Sequence, residues 1–364
     1  MNIEAQPVAA SVRAIGRRLS GPVDLLALYA RLSDAGTRAD TAFIETTAGK
    51  SIIVDRAAIR IECRGERVVL DALSSTGEPV LDVIERNLHS PDASRSARQL
   101  TVRYDRSREV DADRRLFDAS PFDVLRTVLA SFTNRTPEEP MALCLVGVIA
   151  FDHVDLFEEL PPNREDPTGF PDFVFWLAES AVIAEPGLAP RLICSSFGSG
   201  DEDQQQRSAN SAIERLRDLA FRASDIRPLT VVPGARAEIS VDLTDEEFAG
   251  AVTKLKDHIR AGDVYQIVAS RTFRAPCADP LSAFARVRAI DRSPYMFFVS
   301  MADCALFGAS PETSVRVFKN AQDKIVEVKP IAGTRPRGKD EDEDNRMEAD
   351  LRLDEKEAAE PETA

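Results

Sequence analysis

Apolar side chains recur at alternating positions through residues 51–73, at Ile52, Val54, Ile59, Ile61, Val68 and Leu70, with Val69 beside them. Period-two alternation puts successive side chains on opposite faces of an extended strand, and Arg64-Gly65-Glu66 interrupts it with turn chemistry, so the segment predicts a β-hairpin. Further along, Ser120 and Pro121 give a helix start signal, followed by Leu125, Val128, Leu129 and Phe132 at helical spacing. That pattern predicts a helix with one buried face, capped by Ser120 and with Pro121 in its first position. Strand-like runs at 142–151, 173–183 and 190–196 add up to a substantial sheet, and the mixture reads as an α+β domain.

The polar run at 201–206, Asp-Glu-Asp-Gln-Gln-Gln, predicts an exposed loop, and the proline and glycine between 227 and 234 mark a domain boundary. The expected division is a tail at 1–24, a domain at 25–235 and a second at 236–364. Just past the boundary, Thr244 and Glu247 form a capping-box pattern ahead of Phe248, Val252, Leu255 and Ile259, an apolar helical stripe that stops before Gly262. No repeat at solenoid periods is present.

Composition narrows the function class. At 364 residues, with 43% hydrophobic and 29% charged side chains, the chain has the makeup of a two-domain globular protein. Its 46 basic and 61 acidic residues give a net charge of −15, which argues against general nucleic-acid binding. Cys63, Cys144, Cys194, Cys277 and Cys304 are odd in number and widely spaced, so neither a disulfide framework nor a CxxC metal site is expected, and a reducing cytoplasm fits best. His89, His153 and His258 share no helical metal-ligand spacing and read as structural or surface residues. The longest apolar run, 141–151, falls short of the roughly 20 residues that cross a bilayer as a helix, so no membrane contact is expected. Arg13, Arg17 and Arg18 are not followed by the apolar core of a secretory signal.

The candidate chemistry lies late in the chain, in Pro330-Ile331-Ala332-Gly333-Thr334-Arg335-Pro336-Arg337-Gly338. Gly333 allows a ligand to approach the main chain, Thr334 adds a hydroxyl, and Arg335 and Arg337 offer forked donors to an anion. Taken alone, the same residues also read as a solvated surface turn.

Other strings stand in order before it: Ala261-Gly262-Asp263 with Tyr265-Gln266-Ile267-Val268-Ala269-Ser270-Arg271, then Ser293-Pro294-Tyr295-Met296-Phe297-Phe298, then Phe307-Gly308-Ala309-Ser310-Pro311-Glu312. Together with the nonapeptide these resemble the first half of the chorismate-binding domain of anthranilate synthase component I. Weaker likeness to that family's amino-terminal domain runs through Val146-Gly147-Val148-Ile149-Ala150-Phe151-Asp152, Phe157-Glu158-Glu159-Leu160-Pro161 and Pro171-Asp172-Phe173-Val174-Phe175. Ala332 stands where aminodeoxychorismate synthases carry lysine, which favours the anthranilate branch.

The resemblance implies mixed and antiparallel sheets with flanking helices, an amino-terminal tryptophan-regulatory domain at 25–235, and an incomplete chorismate-binding domain at 236–364. It implies a carbon–oxygen lyase that converts chorismate and ammonia to anthranilate and pyruvate in tryptophan biosynthesis. A glutamine amidotransferase, as a subunit or a fused domain, would supply the ammonia, and Mg2+ would serve as cofactor. Gly333 and Thr334 are the implied substrate contacts. Glu360 is the implied magnesium ligand, although by composition it is one more acid in a charged helix. The implied tryptophan site combines Thr46, in Phe43-Ile44-Glu45-Thr46, and Lys50 with Pro294, Tyr295 and Met296; Arg292 departs from the family's proline. Counterparts of the family's catalytic histidine, second magnesium glutamate and substrate-gripping tyrosine and arginine are not found, so the chain alone is expected to be inactive. The alternatives are a non-catalytic tryptophan-binding fragment and another chorismate enzyme, such as aminodeoxychorismate or isochorismate synthase.

Overall fold

The computed structural model describes residues 10–47, 49–88, 92–158, 160, 166, 168–198, 202–232, 238–291, 293–319, 323–329, 331 and 333–354. The chain opens with β1 (Ala10–Arg18), α1 (Leu25–Leu32), β2 (Thr41–Thr46), β3 (Ser51–Arg64), β4 (Arg67–Ala72) and α2 (Gly77–Asn87). It continues through β5 (Ala93–Arg95), β6 (Gln99–Arg103), α3 (Ala112–Arg115), α4 (Phe122–Ala130), β7 (Phe132–Asn134) and β8 (Leu145–Ile149). A 3-10 helix at Phe151–Leu156 leads towards β9 (Phe173–Ala184), β10 (Arg191–Gly198) and α5 (Glu202–Arg222). The later elements are β11 (Ser240–Val241), α6 (Asp245–Ala261), β12 (Phe273–Arg274), α7 (Pro280–Ile290), β13 (Tyr295–Ser300) and β14 (Ala305–Ser310). A hairpin of β15 (Arg316–Lys319) and β16 (Lys324–Glu327) precedes α8 (Glu341–Arg352).

A 12-stranded sheet carries the order β14-β13-β2-β3-β9-β10-β1-β7, with β4, β5, β6 and β8 attached beside it. Its pairings are antiparallel except β1 with β7. The long strands β3 and β9 pair along their whole length, but the register shifts between Val54 and Ile59. Such bulges bend a strand and raise its twist. Before the bend β3 pairs with β2, and after it with β4. The expected hairpin is therefore present as β3–β4, and Gly65 turns it with φ of 58°, a left-handed conformation that glycine adopts without a Cβ penalty.

Apolar alternation then sorts into cores. α2 and α4 close over the β3–β4 end, packing Val80, Leu81, Ile84, Val124 and Val128 against Ile59, Ile61 and Leu70. α1, α5 and α7 close over the other end, where Tyr29, Leu219 and Phe284 meet Phe43, Met296 and Phe298. The second cluster joins residues from both sides of the expected boundary at 235, because β13 pairs directly with β2, Phe298 opposite Phe43. Mixed sheets with flanking helices are thus the observed architecture, and one sheet holds strands from both expected segments.

Two local expectations are corrected. Residues 202–206 are helical, forming the first turns of α5. Glutamate and glutamine are good helix formers, acids suit a helix N-terminus, and the buried Ala212 and Leu219 farther along pull the whole run into a helix. The second correction concerns Ser120, whose hydroxyl does not cap α4. The Ser120 N–H instead donates to Asp123 Oδ2 at 2.8 Å, and Pro121 takes the capping position. Val124 and Val128 are the buried residues of that helix; Leu129 is exposed and Phe132 begins β7.

The capping box of α6 forms as expected, with Gly262 ending the helix at φ of 80°. Its apolar stripe is not buried, however: Phe248, Val252 and Leu255 are half-buried and Ile259 is exposed. Among the described residues no helix is long and apolar enough to cross a membrane.

Candidate functional site

The loop of Gly333, Thr334, Arg335, Pro336 and Arg337 lies against α8 and with Asp344, Met347, Glu348 and Leu351 lines a cleft of about 410 Å3. Ala332 falls outside the described residues, as does Glu360, so neither the branch-distinguishing position nor the implied magnesium ligand has a place in this geometry. Thr334 is exposed and Gly333 half-buried.

α8 opens with four acids after the cap Asp340, which accepts the Glu343 N–H. Acids at this end complement the helix macrodipole, and one of them, Asp344, also lines the cleft. Arg335 donates from Nε to Asp350 at 2.7 Å and from Nη2 to Asp354 at 2.8 Å. Arg337 reaches Asp344 at 2.6 Å, and the Gly338 N–H donates to the same carboxylate at 2.9 Å. Asp344 is held below the usual carboxylate range, chiefly by the Gly338 N–H and then by Arg337. A Cβ on residue 338 would fall 2.2 Å from the Asp344 nitrogen, so glycine is what allows the loop to press on the helix. The forked donors that sequence reasoning assigned to a ligand are therefore engaged by the chain's own acids. That outcome was legible in principle, since Asp344 follows Arg337 by seven residues.

The fit for magnesium can be judged from the same acids. Carboxylate oxygens are the right donors for a hard cation. Yet Asp344 holds Arg337, Asp350 and Asp354 hold Arg335, and Glu348 holds Arg352 at 2.6 Å. The described residues around the loop do not make a magnesium site.

The second place is the β2–β13 edge. Thr46 stands opposite Tyr295 and Glu45 opposite Met296, and the Thr47 N–H donates to the Pro294 carbonyl at 3.1 Å. The two strings are thus neighbours. Their side chains divide between faces: Met296 is buried in the core with Phe43 and Phe298, whereas the Tyr295 hydroxyl meets that of Thr313. Thr46 borders a cleft of about 300 Å3 with Glu45, Thr47, Gly49, Ser51, Glu185, Leu25, Leu188 and three prolines. Lys50 reaches Glu185 of that wall at 3.7 Å. Pro294, Tyr295 and Met296 do not line it.

Sequence reasoning missed two contributors here. Arg288, on α7, clamps Glu45 with two bonds, at 2.5 and 2.6 Å. Glu185, beyond the end of β9, bridges Lys50 and Arg191. Neither carries a motif; only the pairing of β3 with β9 brings Glu185 near.

Residues 88–363 match the family model described as chorismate binding enzyme. The chain is 37% identical over 320 residues to anthranilate synthase component 1 of Escherichia coli (strain K12), an alignment covering 85% of this chain and 60% of that protein. To anthranilate synthase component 1 of Vibrio cholerae serotype O1 it is 36% identical over 324 residues, again covering 85% and 60%. Among solved structures, the crystal structure of anthranilate synthase component I from Streptococcus pneumoniae TIGR4 is similar with a TM-score of 0.55 and 22% identity, covering 87% of this chain and 59% of that one. At that identity the likeness speaks for the fold. The chain spans about 60% of the length of the curated relatives it matches.

Proposed function

The chain belongs to the chorismate-binding enzymes, and on that premise we propose that it is part of an anthranilate synthase component I, a cytoplasmic lyase of tryptophan biosynthesis. The reaction adds ammonia to chorismate and eliminates pyruvate and water, leaving anthranilate. The observation that carries this reading is that the family match runs through residues 88–363 and so includes the Gly333–Arg337 loop and its cleft. In the proposal Gly333 and Thr334 contact chorismate, main-chain donors and a hydroxyl holding a carboxylate without adding charge. A glutamine amidotransferase would supply ammonia, and Glu360, outside the described residues, would be the residue that holds Mg2+.

The ion pairs of Arg335 and Arg337 with α8 support a second element of the proposal, that this polypeptide alone is inactive. Among the described residues no histidine lines the cleft, and Arg335 is engaged twice, by Asp350 and Asp354, while Arg337 spends one nitrogen on Asp344. Chorismate, magnesium and ammonium added to the isolated chain are expected to give no anthranilate fluorescence; turnover would refute the inactivity. A chimera carrying this chain in place of the matched portion of the Escherichia coli relative is expected to form anthranilate. Thr334→Ala in that chimera should lower kcat/KM by about tenfold to a hundredfold if the hydroxyl serves the transition state. A folded but inactive chimera would count against the assignment.

We also propose that the cleft beside Thr46 takes tryptophan, with Lys50 near the carboxylate. Calorimetry should show saturable one-to-one binding to the isolated chain. Thr46→Val, which removes one hydroxyl, should weaken it by about three- to tenfold, the worth of a single hydrogen bond. Absence of binding heat in the wild-type chain would remove the effector site from the proposal.

A further inference from the structure

We propose that Cys63, His153 and Asp172 form a binding site for a zinc-like divalent cation, away from the loop and the β2–β13 edge. One ligand atom from each, a thiol sulfur, an imidazole nitrogen and a carboxylate oxygen, lies within 4.8 Å of the other two. The three residues are distant in sequence and are brought together by the sheet. Cys63 sits at the end of β3 opposite Phe173 of β9, Asp172 immediately precedes Phe173, and Ile149 of β8 flanks the same residue before the chain turns into the helix that carries His153.

A second observation is independent of that convergence. His153 is 3% exposed, and neither ring nitrogen has a hydrogen-bond partner among the described residues. The rings of Phe122, Phe157 and Phe173 surround it with centroids at 4.6, 5.8 and 5.4 Å. Buried polar atoms are as a rule satisfied, and an imidazole held in an aromatic box with a nitrogen towards a thiol and a carboxylate has a cation as its natural partner. Cys63 is fully buried, while Asp172 is half-buried at the rim. The Asp172 carboxylate is oriented by the Gly65 N–H, which donates to Oδ2 at 2.5 Å and leaves lone pairs to spare.

The donor set selects the ion. A thiolate disfavours magnesium and calcium, whereas sulfur, nitrogen and oxygen together suit Zn(II) or Co(II). Bond lengths of about 2.0–2.3 Å require each ligand atom to move inward by less than about 1 Å. Binding releases the Cys63 thiol proton, which now bonds the Gly65 carbonyl at 3.3 Å. Three protein ligands would leave a fourth position to be filled by water.

The test is titration of the tag-free chain with Co(II). Saturation at one equivalent is expected, with sulfur-to-cobalt charge transfer in the near ultraviolet, intense visible d–d bands of a tetrahedral ion, and displacement by Zn(II). Cys277→Ser with Cys304→Ser, which removes the two exposed thiols, should leave the spectrum intact. Cys63→Ser should abolish the charge transfer. Asp172→Asn keeps an acceptor for Gly65 and should weaken Co(II) binding by at least about tenfold. Should Cys63→Ser fail to fold, checked by circular dichroism, the Asp172→Asn comparison decides. A spectrum that survives Cys63→Ser, vanishes with the exposed thiols, or is unchanged in Asp172→Asn overturns the site.

Discussion

Asp55→Ala is expected to destabilise the chain by about 3 kcal/mol, read from urea unfolding followed through the fluorescence of Trp176, the one tryptophan. Asp55 lies where the register of β3 and β9 shifts, is 1% exposed, and accepts four side-chain hydrogen bonds. Arg38 reaches Oδ1 at 2.6 Å, Arg222 reaches both oxygens at 2.9 and 2.8 Å, and the Ser180 hydroxyl donates to Oδ2 at 2.9 Å. Removing one partner of a buried pair costs about 3–5 kcal/mol because the remaining charge is left without compensation. The lower end applies, since both guanidinium side chains keep some solvent, at 28% and 18% exposure.

The same carboxylate gives the pH dependence a sign. Burial by itself would raise its pKa, but Arg222 and Arg38 outweigh burial and hold Asp55 below the ordinary value of 3.8. The folded state therefore takes up this proton at lower pH than the unfolded chain does. Its contribution is complete above the unfolded value and is lost as pH falls through the folded one. The stability gap between wild type and Asp55→Ala should accordingly be constant near neutrality and narrow below pH 3.8. A gap that widens with acidification would contradict the assignment of charge to Asp55.

What the sequence disclosed and withheld follows from the range of the forces involved. Alternation at Ile59, Ile61, Val68 and Leu70 is a local property, and so is the Thr244–Glu247 box; both were legible. The bend at Asp55 was not, because an aspartate in a strand looks like a solvent-facing residue until Arg38 and Arg222 close on it from elements far along the chain. The start of α5 was misread because its polar residues are helical only through the packing of Ala212 and Leu219 beyond them. At the loop, residue types were read as donors to a ligand, whereas the acids that take those donors sit on the next helix. Cys63 and His153 are 90 positions apart, and no spacing rule joins them.

Phe298→Ala should cost about 3–5 kcal/mol, the usual penalty for emptying a buried aromatic position. Phe298 is 0% exposed, and its ring meets Tyr29 at 5.6 Å, Phe284 at 5.7 Å and Phe307 at 5.8 Å, the last pair stacked at 10°. Tyr29 lies on α1, while Phe284, Phe298 and Phe307 belong to α7, β13 and β14, so the cluster spans the expected boundary at 235. Trp176, by contrast, sits on β9 in a different cluster, its indole N–H bonded to Asp40 at 2.7 Å. If the 12-stranded sheet unfolds as one cooperative unit, the cavity at Phe298 must lower the urea midpoint seen by Trp176 as much as that seen by far-ultraviolet circular dichroism. An independently stable domain at 25–235 makes the opposite demand: Trp176 would keep its wild-type midpoint while a separate transition moved. The direct pairing of Tyr295–Ser300 with Thr41–Thr46, every residue of one strand opposite one of the other, favours the single shifted transition.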